Sequence, residues 1–179
     1  GASEEAYARL TPSGEFPPDL RHPEVHTLHS LGGFVAAAIG AEGPSLTVAT
    51  ACSSSAKVFA QAERLLRCGI VDAAVVGGVD SLCHSVLYGF NALGLVSAQR
   101  CKPFDASRDG VSLAEAGGFA LLQRRESLAA DDDPMLWLRG YGESCDAHHM
   151  SAPHPHGLGA RIAMQDALAR AGIESSQVH

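Results

Sequence analysis

A chain of 179 residues, 46% hydrophobic and 18% charged, has the composition of a globular domain with a sizeable core, which excludes a disordered ground state. Its formal charge of -7 argues against a nucleic-acid partner, because a phosphate backbone calls for a basic face. No apolar run nears the ~20 residues of a membrane helix and no basic-then-apolar leader opens the chain, while five scattered cysteines fit a reducing cytosol better than a disulfide framework.

In chain order, residues 1–10 read as a short helix with Ala6, Tyr7 and Leu10 on one side. Residues 11–23 are rich in Pro and Gly and read as a loop. Val25, Leu28, Leu31, Phe34, Val35 and Ile39 then recur at helical spacing. Gly32-Gly33 weakens that helix unless a close backbone approach requires it. His22, His26 and His29 lie near its start, at spacings that suit metal ligands; with no cysteine in support they read as a solvated helix face.

The stretch Ser45-Leu46-Thr47-Val48-Ala49-Thr50-Ala51-Cys52-Ser53-Ser54-Ser55 begins apolar and β-branched and ends in small residues. An Ala-rich segment with helical periodicity follows, so the pattern is a buried strand over 45–51, a tight turn and a helix, with Cys52 at the junction. A thiol at a helix N-terminus faces unpaired backbone N–H groups and the positive end of the helix dipole, both of which stabilise a thiolate. The same groups can hold the oxyanion formed when that sulfur attacks a carbonyl. Cys52 is therefore the candidate nucleophile; in its local context it also reads as a compact apolar filler. Cys68, Cys83 and Cys101 have no partner spacing and read as structural.

The helix should turn Ala56, Phe59, Ala60, Ala62 and Leu66 to the core and end at Gly69 in the left-handed region. Val71 to Val76 is a continuous apolar run, expected of a strand buried on both faces. Strand, helix and strand make a βαβ unit, a parallel sheet and an α/β class. Residues 82–93 carry Val86, Leu87, Phe90 and Leu93 at helical spacing, which supports core packing. Arg108 with Asp105 or Asp109 reads as an ion-pair knot in the loop 102–110. Residues 131–134 form a surface turn, 135–141 alternate as a strand, and 157–171 form an amphipathic helix ended by Gly172. Between them, Cys145, His148, His149, His154 and His156 make the best metal-ligand composition in the chain, although their spacing is irregular and prolines stiffen it.

Several of these stretches, in this order, resemble β-ketoacyl-acyl carrier protein synthases, the condensing enzymes of the thiolase superfamily. Gly43-Pro44 with Thr50-Ala51-Cys52-Ser53-Ser54-Ser55 is similar to the family's active-site segment. Val75-Val76-Gly77-Gly78-Val79-Asp80 is similar to its second strand and glycine turn. Lys102-Pro103-Phe104-Asp105 with Arg108-Asp109-Gly110 resembles its PFD…RDG element, and Asp146-Ala147-His148-His149-Met150-Ser151 its DAxHM(T/S) loop. Where the family often has GEGAG followed by a strand such as 119–123, this chain has Ala114-Glu115-Ala116-Gly117-Gly118; Glu115 keeps the acidic position between changed neighbours.

The resemblance implies a thiolase-like fold, of mixed sheets and layered helices, in partial copy. Residues 1–130 would belong to the nucleophile-bearing first half and 131–179 to the start of the second. It implies acyl transfer from an acyl carrier protein thioester to Cys52, then decarboxylative Claisen condensation with malonyl-carrier protein in fatty-acid biosynthesis. It implies no cofactor and no metal, a cytoplasmic homodimer paired along the strand before the cysteine, and acyl carrier protein as partner. Phe90 matches a position where an aromatic lines the acyl site, and Ser151 a hydroxyl residue that contacts the pantetheine arm. The family's two catalytic histidines and supporting lysine have no matching positions here, so the chain reads as a fragment. A polyketide ketosynthase is the alternative within the family. A non-catalytic dimerising core, or a zinc module on the 145–156 cluster, is the alternative outside it.

Overall fold

The computed structural model describes residues 2–129, 136–149 and 152–179. Two units divide the chain: one comprises Gly1–Val58 with Ala73–Leu122, the other Phe59–Asp72 with Gln123–His179. The class is mixed α/β, as expected.

In the first unit, α1 (Ala2–Ala8) turns only Ala6 fully inward, while Tyr7 and Leu10 stay exposed. Tyr7 instead packs edge-on against Phe16 at 5.3 Å. The helix expected from Val25 begins later, as α2 (Ser30–Ile39). Pro23 opens a separate 3-10 turn through His26, because proline suits the start of a helical turn and its ring bars continuation from the preceding chain. The glycine pair splits in its role. A Cβ on Gly32 would meet the Ser45 hydroxyl at 3.0 Å and the His29 ring at 3.3 Å, whereas Gly33 faces nothing within 4 Å.

The strand expected over 45–51 is not present: residues 45–50 adopt no regular element, and Ala51–Ser53 is a 3-10 turn. A strand needs a ladder partner, and the sheet among the described residues has two strands, β1 (Ala73–Asp80) and β2 (Ala116–Gln123). The expected βαβ crossover is therefore not closed by a ladder. A Cβ on Gly77 would strike Gly118 and Phe119, while one on Gly117 would meet Val79 at 3.2 Å. Positions rise on one strand as they fall on the other, which is antiparallel order. Burial of β1 on both faces also fails, since Val76 is 7% exposed but Val75 is 44%. The helix expected over 82–93 is α4 (His84–Ala92), and both Glu4 carboxylate oxygens cap its start, on the His84 and Ser85 N–H groups at 2.9 and 2.5 Å. These N–H groups hold the Glu4 carboxyl down at about 2.

The helix expected after Cys52 is α3 (Ser54–Arg67), with Ala60, Ala62 and Leu66 buried, Phe59 half-buried and Ala56 exposed. Gly69 stands at φ +67 and ends it with bonds from Gly69 to Leu66 and from Ile70 to Leu65, each 3.0 Å. In the second unit Arg124 adds a side-chain cap, donating to the Leu66 and Val71 carbonyls at 2.9 and 3.2 Å and to Asp72 at 3.1 Å. Residues 136–147 form no strand; Met135 and the proposed turn at 131–134 lie outside the described residues. This segment packs instead by its glycines: a Cβ at Gly142 would fall on Ala163, and one at Gly140 on Ala167 and Ala171, all in α5 (Leu158–Ala171). Tyr141 between them lies under Arg64 and Arg170, at 5.0 and 4.6 Å from ring centroid to guanidinium carbon. Its hydroxyl donates to Glu63 at 3.1 Å, and Arg64 pairs with Glu143. Gly157 and Gly172, both left-handed, bound α5.

No helix among the described residues is long and apolar enough to cross a membrane.

Candidate active site

Three local features place Cys52. The chain enters from Thr50 at φ -120, ψ 40, passes Ala51 at φ +53, and begins α3 at Ser54. A non-glycine residue in the left-handed region costs on the order of 1–2 kcal/mol and persists only where its surroundings hold it. Here hydroxyl groups hold it. Thr50 N–H donates to the Ser54 hydroxyl at 2.8 Å, and that hydroxyl donates to the Ala51 carbonyl at 2.7 Å. Ser53 donates back to the Thr50 carbonyl at 2.9 Å and lies 3.0 Å from the Thr50 hydroxyl. Cys52 stands exposed at the apex, directly ahead of a helix of 14 residues whose first N–H groups carry partial positive charge.

The first turn of α3 lies hard against β1. A Cβ on Gly78 would strike the Ser55 hydroxyl, so the second glycine of the Gly77-Gly78 pair is what allows α3 to approach the strand. Glu115, just ahead of β2, accepts the Leu82 N–H at 2.8 Å and ties the two strand ends together. Periodicity could not reveal that bond, because it spans 33 residues.

The remaining candidates sit as follows. Phe90 is half-buried on α4, and its carbonyl accepts the Leu95 N–H at 3.1 Å where the helix ends. Ser151 lies outside the described residues. The expected knot at Arg108 takes another form: Arg108 donates to the Asp105 backbone carbonyl at 2.9 Å. The Asp105 carboxylate is already bonded to the Ser107 N–H and hydroxyl, at 2.6 and 2.7 Å, and Asp109 to Ser97 at 2.6 Å. Nearer neutral donors engage one oxygen of each carboxylate, while the Arg108 guanidinium is turned to the backbone carbonyl. His26 bonds the Leu20 carbonyl at 2.8 Å and Ser3 at 3.1 Å, and His29 bonds Thr47 at 2.8 Å; they act as loop ties. Among the described residues, no group of three or more His, Cys, Asp or Glu is placed to hold a metal ion.

The 145–156 loop is organised by Asp146, in the second unit. One carboxylate oxygen accepts the His148 N–H at 3.1 Å and the other the His154 N–H at 2.9 Å. Across this knot the His148 and His154 rings meet edge-on at 5.0 Å. An aspartate two residues before an amide is a known turn former, and that signal was available in Asp146-Ala147-His148. The bonds from His154 first, then His148, lower the Asp146 pKa. A lowered folded-state value means that the contribution is present above the ordinary Asp range near ~3.9 and is lost as pH falls through the folded value. The His148 and His154 amides are expected to stay protected from hydrogen exchange near neutral pH and to open only in acid below the ordinary Asp range. Asp146→Ala should open them at both; equal protection in that variant would show that the carboxylate does not hold the loop.

Comparison with known proteins gives the following similarities. The family model "Beta-ketoacyl synthase, N-terminal domain" matches residues 3–127, and "Beta-ketoacyl synthase, C-terminal domain" matches residues 136–179. A 3-oxoacyl-[acyl-carrier-protein] synthase 2 of Staphylococcus aureus is 33% identical over 153 residues, covering 82% of this chain and 38% of that protein. The enzyme of the same name from Rhizobium meliloti (strain 1021) is 37% identical over 145 residues, 76% of this chain and 34% of its own. Among solved structures, a ketosynthase in complex with its chain length factor, from Xenorhabdus doucetiae, superposes with a TM-score of 0.81 at 36% identity, over 98% of this chain and 41% of that one. A type II PKS acyl-carrier protein complex with its ketosynthase bound to the hexaketide gives a TM-score of 0.85 at 26% identity, over 99% and 47%. The chain thus spans less than half the length of each of these relatives.

Proposed function

Because this chain belongs to the beta-ketoacyl synthase family, we propose that Cys52 is the nucleophile of a 3-oxoacyl-acyl carrier protein synthase of fatty-acid biosynthesis. The observation that carries this reading is the exposed Cys52 thiol on a strained, hydroxyl-braced turn at the start of α3. Strain of this kind clusters at functional sites, and the turn sets Cys52 at the start of α3, where the positive end of the helix dipole favours a thiolate.

In the transfer step the Cys52 sulfur, its proton lost, attacks the carbonyl of an acyl carrier protein thioester. A new sulfur–carbon bond forms, the thioester's own carbon–sulfur bond breaks, and the carrier's thiolate leaves and is protonated. The resulting oxyanion develops where helix N–H groups can meet it. In the condensation step, proposed for the whole protein, malonyl-carrier protein loses carbon dioxide and its carbanion attacks the acyl carbonyl, expelling the Cys52 thiolate. On this reading residues 1–130 belong to the first half of the enzyme and 131–179 to the second, with the family-model matches over 3–127 and 136–179 in support. Phe90 lines the acyl site and Ser151 contacts the pantetheine arm. Acyl carrier protein is the partner, as in the complex solved for the second structural relative. The whole protein is a cytoplasmic homodimer, and the five free cysteines of this chain suit that reducing compartment.

The polyketide branch of the family is a second reading, supported by the structural relatives, one solved with its chain length factor and one with a hexaketide. Intact mass spectrometry after incubation with acyl carrier protein thioesters tests both. One acyl group per chain, with free carrier thiol released, supports the nucleophile. Faster loading from saturated acyl than from β-ketoacyl thioesters supports the fatty-acid branch, and the reverse order the polyketide branch. No acylation, with stoichiometric zinc bound instead, would replace both with the metal-module reading.

A further inference from the structure

Ser54 has a part in this site that its position in a run of three serines does not announce. Its hydroxyl spans the left-handed residue: it accepts the Thr50 N–H on one side of Ala51 at 2.8 Å and donates to the Ala51 carbonyl at 2.7 Å. The Ser54 backbone N–H also donates to that same carbonyl. Ser54 therefore ties the Thr50 amide to the Ala51 carbonyl and brackets the backbone torsions of Thr50 and Ala51, the residue whose φ of +53 immediately precedes Cys52. Ser53 takes a different part: its hydroxyl bonds the Thr50 carbonyl, in the peptide just before Ala51, and the Thr50 hydroxyl. Ser55 is directed elsewhere: its hydroxyl lies against Gly78 of β1.

We infer that Ser54 is the positioning residue of the nucleophile: its hydroxyl locks Ala51 in the left-handed conformation and so sets where the Cys52 sulfur stands. The inference rests on Cys52 being the nucleophile. Without the hydroxyl, Ala51 is free to relax to negative φ, and the sulfur moves off the line of attack. A displacement of about 1 Å can cost on the order of 100-fold in rate.

Two rescues follow from the physics. Threonine at 54 keeps the hydroxyl. Glycine at 51 accepts positive φ without the Cβ penalty, so it should reduce the need for the clamp.

The test is the rate of acylation at Cys52 by an acyl thioester, read by peptide mass over a range of thioester concentrations, with Cys52 alkylation by iodoacetamide measured beside it. Ser54→Ala is expected to lower the saturating acylation rate about 10- to 100-fold, with little change in the half-saturating concentration. Ser54→Thr should stay near the parent, and Ala51→Gly in the Ser54→Ala background should recover most of the loss. A Ser54→Ala chain that acylates and alkylates like the parent overturns the inference while leaving Cys52 as nucleophile. A loss that neither rescue repairs also overturns it, because the hydroxyl would then act through general stability and not through Ala51. If the parent itself does not acylate, the nucleophile reading fails; a changed Cys52 alkylation rate restored by both rescues would still support the clamp, and an unchanged one would overturn it.

Discussion

Cys52→Ala should abolish acyl loading, lowering its rate by about 10^3-fold or more, while substitution of Cys68, Cys83, Cys101 or Cys145 leaves it near the parent value. All five thiols are free, so availability alone does not separate them. Their surroundings do. Cys83 and Cys101 have pKa values lowered by the Ser85 and Ser112 hydroxyls respectively. Yet neither stands on a turn that aims it outward ahead of a long helix: Cys83 precedes the nine-residue α4 in extended backbone, with its helix-start N–H groups at His84 and Ser85 already taken by Glu4. Cys101 lies in a loop bonded to Ser112. Among the five, only Cys52 combines an exposed thiol, positive φ at the preceding residue and a 14-residue helix directly after its turn. The rate of acyl-mass gain on each single-cysteine variant checks this. Loading that persists in Cys52→Ala would assign the nucleophile elsewhere.

Gly142→Ala should lower stability by about 3 kcal/mol or more, a fall in Tm of roughly 6–12 °C for a chain of this size. The added Cβ would lie 2.6 Å from the Ala163 carbonyl carbon and 2.9 Å from its Cα. These are backbone atoms of α5 and cannot swing aside like a side chain, so the segment must lift. Lifting takes Tyr141 out from under Arg64 and Arg170 and breaks the bond from Ser144 to the Gly159 carbonyl, 2.6 Å long. Gly33→Ala is the matched control. Nothing lies within 4 Å of its added methyl, and alanine inside α2 should gain up to about 1 kcal/mol. Thermal unfolding followed by circular dichroism separates the two, and equal melting of Gly142→Ala and the parent would contradict the packing described for 140–144.

What the sequence made legible was local. Gly69 and Gly172 were readable as helix ends because a left-handed cap depends on one residue, and Ala60, Ala62 and Leu66 as a buried face because 3.6-residue periodicity lies within one helix. The family itself was legible in Thr50-Ala51-Cys52-Ser53-Ser54-Ser55 and the ordered motifs after it. The misses share a cause. The strands expected over 45–51 and 135–141 require ladder partners, which no local pattern supplies. The Arg108 knot depended on which donors reached Asp105 first, and Ser107 is nearer in sequence than any reading of charge suggested. The close approach of Gly142 to Ala163 of α5 joins residues 21 apart, which no local pattern announces. That Cys52 stands on a turn just ahead of a helix was readable from its position, but the bonds made by Ser54 were not, because serine repeats conceal which hydroxyl closes a turn.

The most direct test of the central claim is a peptide mass map after brief exposure of the chain to an acyl thioester, with Cys52→Ala treated in parallel. The expected result is acyl mass on the Cys52 peptide alone, absent from the variant. Acyl mass spread over the five cysteine peptides, or found on none of them, would contradict Cys52 as the nucleophile and leave this chain as a scaffold of the fold.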